Sequence, residues 1–92
     1  MAATEWDAAA EWHRDEGIVP EFTFGDRLRN AREIAGLEQR DMAEKFGVSS
    51  GSVSNWEKGV SQPRDVFAVA AVWADVTGVQ RHWLLTGVPL GG

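Results

Sequence analysis

Twenty residues near the middle of the chain, QRDMAEKFGVSSGSVSNWEK from Gln39 to Lys58, leave it the fewest ways to fold. Gly47 breaks a segment of about two helical turns, Ser49 is a good N-cap for a second short segment, and Gly59 stops that one. Helices this short are not stable alone, so they must pack on one another and on a shared core. A steep, close crossing needs a small residue on the first helix, a residue that tolerates positive φ at the turn, and apolar anchors on the inner faces. Ala43 is the small residue and Gly47 the turn, while Met42, Phe46, Val48, Val53 and Trp56 fall on the inward positions. All of these positions are filled at once, so the spacing predicts a helix, a tight turn and a second helix.

The flanking sequence reads as more short helices. Thr23-Phe-Gly-Asp is a box-like helix start, followed by Phe24, Leu28, Ala31, Ile34 and Ala35 at the spacing of one buried stripe, with Gly36 as its end. Arg27, Arg29 and Arg32 lie off that stripe and read as a solvated face, with phosphate contact as the alternative. Pro63 is expected at the first position of a helix over residues 64–76, whose apolar face is Val66, Phe67, Ala70, Ala71, Trp73 and Ala74. Beyond Gly78, a last helix over 79–85 carries Val79, Trp83, Leu84 and Leu85, and the tail 88–92 is expected to fray. Trp56, Trp73 and Trp83 are expected in the core, Glu57 in a structural pair with an arginine such as Arg32, and His82 on the surface. At the N-terminus Thr4 and Asp7 could cap a helix over 5–16 with Trp6, Ala9, Ala10 and His13 on one face and Trp12 pointing elsewhere, ahead of a linker at Gly17–Glu21. No segment alternates like a strand.

Charge divides the chain in two. The net value is −5, and residues 1–21 account for all of it, with six acids against Arg14 alone; residues 22–92 hold eight acids and eight bases. Acidity of this kind opposes binding to a polyanion, but a neutral body can still bind one if its bases gather on one face. With no cysteine there is neither a disulfide framework nor a thiolate metal site, and His13 and His82 have no ligand spacing around them. Neither a bilayer-length apolar run nor a secretory signal is present, so a soluble, cytoplasmic protein without membrane contact is expected. Without a glycine-rich phosphate loop or a cluster of carboxylates and histidines, an enzyme is not expected, and no metal or cofactor is implied.

From Thr23 to Gly87, through FGDRLRNAREIAGLEQRDMAEKFGVSSGSVSNWEKG and the later WLLTG, the chain resembles the lambda-repressor/Cro-like helix-turn-helix family of phage and bacterial regulators. The resemblance implies an all-α, five-helix domain over residues 22–87, here with an extra helix in the acidic extension 1–21. It implies a regulator that binds double-stranded DNA, typically as a homodimer on a palindromic operator. Dimer contacts are expected from the C-terminal helix or the N-terminal one. By the same resemblance Ser50, Gly51, Ser52 and Asn55 occupy the base-reading positions of the second helix of the motif. Gln39, Arg40, Lys58 and Arg64 correspond to contacts with the DNA backbone. Asn55 is the best reader, because its amide can pair bidentately with adenine. Gly51 departs from the polar residue often found there, and small side chains on this face predict sparse direct readout. The competing expectation is a protein-interaction module, or an antitoxin-like partner, on the same fold with weak or absent DNA binding.

Overall fold

In a computed structural model, residues 22–91 are described, and they form five helices and no strand. These are α1 (Phe24–Ile34), α2 (Gln39–Phe46), α3 (Ser50–Lys58), α4 (Val66–Thr77) and α5 (Arg81–Thr86). The expected all-α class holds. The helix expected over 5–16 lies outside the described residues.

Local chemistry sets the helix ends. Thr23 caps α1: its hydroxyl accepts from the Asp26 amide at 3.1 Å while the Asp26 carboxylate accepts from the Thr23 amide at 3.1 Å, a reciprocal box. α2 ends at Gly47, which takes the left-handed conformation at φ 66°, and Ser49 then caps α3 by accepting from the Ser52 amide. The start of α4 differs from the expected one. Asp65 is its cap, accepting from the Ala68 amide at 3.0 Å, and Pro63 is buried in the loop two residues earlier. A carboxylate that satisfies a free helical amide specifies the start more strongly than a proline that merely fits there.

The core gathers Leu28 and Ala31 of α1, Met42 and Ala43 of α2, Val53 of α3, Val69, Ala70 and Trp73 of α4 and Leu84 of α5. Trp73 is fully buried, and its indole N–H donates to the Leu28 carbonyl at 2.9 Å, which satisfies the one polar atom the ring brings inside. Phe46 stacks on Trp73 and meets the Trp56 ring edge-on, so α2 is wedged between α3 and α4. Trp56 and Trp83 pack against this core while remaining partly exposed.

Two expected core positions are on the surface. Ile34, in the last turn of α1, is 70% exposed, because the covered side of α1 runs through Gly25, Leu28, Ala31 and Arg32 and Ile34 lies off it. Phe67 is 72% exposed: α4 turns Val69, Ala70 and Trp73 inward, so Phe67 points the other way. The arginines expected on a solvated face also divide differently. Arg29 is half-exposed beside Asp26, but Arg32 is buried. Arg27 reaches across to the end of α5, where it donates to the Leu84 carbonyl at 2.8 Å and the Leu85 carbonyl at 3.2 Å, and also to the Phe22 carbonyl. A cation on the last carbonyls of a helix satisfies acceptors that have no partner within the helix.

Candidate nucleic-acid interface

The surface in question is the outer side of α3, and what holds α3 in place lies on its inner side. Gly25 of α1 is the point of closest approach. A Cβ there would come within 2.5 Å of the Glu57 carbonyl oxygen and closer still to that of Trp56. Only glycine lets the two backbones meet this closely.

Beside that contact Glu57 is nearly inaccessible to solvent and receives three hydrogen bonds. Arg32 grips it through both ends of its fork, Nε to Oε2 at 2.7 Å and Nη2 to Oε1 at 3.0 Å. Gln39 Nε2 donates to Oε1 at 3.1 Å. The remaining Arg32 nitrogen, Nη1, donates to the Leu37 carbonyl at 2.9 Å. The bonded carboxylate holds the Arg32 guanidinium protonated even beyond its usual range. One cluster thus ties α1, the α1–α2 loop, α2 and α3 together, and Arg32 is the structural partner expected for Glu57.

The expected contact residues fall into two groups around α3. At its N-terminal end Gln39, Arg40 and Ser50 line one cleft, where the first turns of α2 and α3 open side by side. Gln39 serves there as a brace to Glu57, with its amide nitrogen committed inward. Along the outer face Gly51, Asn55 and Lys58 follow one another at helical spacing, and all three are exposed. Ser52 is half-buried, with its hydroxyl 3.2 Å from that of Ser49, so it belongs to the cap as much as to the open face. Ser54 was not among the expected contacts. It lies between Gly51 and Lys58 on the same face, at the i+3 and i+4 spacing that could have identified it. Around Gly51 an added Cβ would meet only the Ser49 hydroxyl, at 3.6 Å, so this stretch of the face is open. Arg64 is exposed in the loop between α3 and α4. Among the described residues no group of three acids, histidines or cysteines could hold a metal ion.

Residues 23–84, more than half of the chain, match a helix-turn-helix domain family. The chain belongs to this lambda-repressor/Cro-like helix-turn-helix family. The match begins at the cap of α1 and ends within α5, so it covers the first four helices and the Leu84 core position. Among curated proteins this helix-turn-helix chain is similar to the HTH-type transcriptional regulator DicA of Escherichia coli, at 38% identity over 53 residues, 55% of this chain and 39% of that protein. It is also similar to the HTH-type transcriptional regulator ImmR of Bacillus subtilis, at 36% identity over 42 residues, 46% of this chain and 33% of that protein. The aligned regions span well under half the length of these relatives. No solved structure matches the chain.

Proposed function

We propose that this protein is a transcriptional regulator that binds double-stranded DNA sequence-specifically, as a phage repressor or Cro-like protein does, and acts by occupying an operator. The observation that carries the reading is the two-sidedness of α3. Its inner side is fixed by the Gly25 contact and the Arg32–Glu57 pair, while Gly51, Asn55 and Lys58 are exposed, with Ser54 half-buried between them, along a helix of the width a major groove accepts. The relatives named as transcriptional regulators support it.

Asn55 reads a base edge, and Ser50 and Ser52 add contacts of little discrimination. Gly51 contributes through its lack of bulk, letting the backbone of α3 come close to the duplex. Arg40, Lys58 and Arg64 hold the phosphates and set the register without reading sequence, while Gln39 supports them from behind by bracing Glu57 through its amide nitrogen. Two copies on one duplex would present their α3 helices about 34 Å apart, in successive major grooves. Repression then needs no chemistry, since the occupied site excludes polymerase.

Selection from a random duplex pool with the full chain tests the reading. An enriched palindrome is the expected result, and Asn55→Ala should weaken binding to it by about 1–3 kcal/mol while leaving random duplex nearly unaffected. An equal loss on both would remove Asn55 as a reader. No enriched sequence at all would favour the second reading, an interaction module, for which the acidic segment 1–21 and the small side chains of α3 are the supporting observations.

A further inference from the structure

Helix α4 has an apolar surface on both sides. Over VFAVAAVWADVT its first charged residue is Asp75, and a helix apolar all round needs cover on every side. One side is the core, through Val69, Ala70 and Trp73. On the other, Phe67, Ala71 and Ala74 recur at i, i+4 and i+7 and line a groove against Leu85 of α5 and Leu90 beyond it. Leu90 is held in place there, its amide donating to Gln80 Oε1 at 2.6 Å, so this wall is built rather than trailing. Yet Phe67 and Leu90 remain largely exposed.

We propose that the acidic N-terminal segment of the same chain, residues 1–21, docks into this groove with Trp6 against Phe67 and Leu85. The placement of its starting point is the first reason. The segment joins the domain at Phe22, whose carbonyl is held by Arg27, and the same guanidinium holds the Leu85 carbonyl. The segment therefore leaves the domain beside a residue that lines the groove. Composition is the second reason. On the helix expected over 5–16, Trp6, Ala9, Ala10 and His13 would share one face of an otherwise acidic segment, and the groove offers Arg81 and His82 beside its apolar floor, against the single acid Asp75. Covalent attachment is the third, because it places this occupant at an effective concentration that a free partner rarely matches.

A paramagnetic label decides it. The chain has no cysteine, so Ala8→Cys, off the Trp6 stripe, gives one nitroxide site in the full-length protein. In isotope-labelled protein the amides of Phe67, Ala71, Leu85 and Leu90 should broaden, and those of α3 should not. Trp6→Ala, and separately Phe67→Asp at an exposed position, should each restore the groove signals while circular dichroism stays unchanged. Broadening that survives either variant overturns the proposal, as does the absence of broadening at the groove. A mixture of spin-labelled unenriched chain with isotope-labelled chain lacking the nitroxide should show none. Broadening there would assign the groove to a second copy instead. These readouts involve no DNA and stand or fall independently of the proposed function.

Discussion

Gly25 and Glu57 show how much of α3's position depends on single residues. Gly25→Ala forces its new methyl against two carbonyl oxygens of the facing backbone, which cannot swing away as a side chain would. Urea denaturation should report a loss of about 1–3 kcal/mol, the usual cost of overpacking. Glu57→Ala strands the Arg32 guanidinium in a buried site and should cost about 3–5 kcal/mol. Adding Arg32→Met should recover much of that, since the burden is the unpaired charge rather than the missing bond. The pair itself was legible in the sequence, because an acid following Trp56 on the inner side of a helix needs a cation. Gly25 was not. It reads as an ordinary glycine in the first turn of an amphipathic helix, and only the crossing of α1 over α3 reveals why it has no side chain.

At the scale of the element, the turn and the caps set where each helix begins and ends. Gly47→Val places a β-branched residue at φ 66°, and a left-handed conformation alone costs about 1–2 kcal/mol for a residue with a Cβ. A lowered melting temperature is the expected readout. The α1 cap adds a dependence on pH. The hydrogen bond from the Thr23 amide holds the Asp26 carboxyl below the ordinary carboxylate range. Its folded-state pKa is thus below its unfolded one. The box stabilises the fold at pH values above about 4 and loses that contribution as pH falls through the lowered value. Asp26→Asn should flatten this part of the acid-unfolding curve, measured by circular dichroism. Caps and glycine stops are local chemistry, which is why α1, α2 and α3 could be placed from spacing alone. α4 was the exception: its composition is apolar all round, so periodicity could not say that Val69 faces inward and Phe67 outward. Which side faces the core depends on where α1 and α5 lie, and the sequence of α4 carries no trace of that.

Over the whole molecule, equal numbers of acids and bases in residues 22–92 leave binding to a polyanion dependent on placement rather than net charge. Arg32 and Arg27 are committed to internal partners, whereas Arg40, Lys58 and Arg64 are exposed around α3. For operator binding, each of these three contributes about 0.9 to the slope of log K against log salt. Arg64→Gln should lower that slope by about 1 per protomer and weaken specific and random duplex alike, as titrations at several salt concentrations would show. Which of the expected contact residues are free to bind was legible only in part, because a sequence shows which side chains could bond but not which are already committed inside. Gln39 illustrates the difference: its amide nitrogen is spent on Glu57.

The open ground around Gly51 has a consequence of its own. The inner contacts that hold α3, at Gly25 and Glu57, do not pass through position 51, where an added Cβ would meet only the Ser49 hydroxyl. Retargeting and folding are therefore separable problems in this molecule. On the proposed reading, Gly51→Gln would give the helix a second amide to read with while the scaffold beneath it stays as it is, so a lineage could move from one operator to another in single steps, each passing through a protein that still folds.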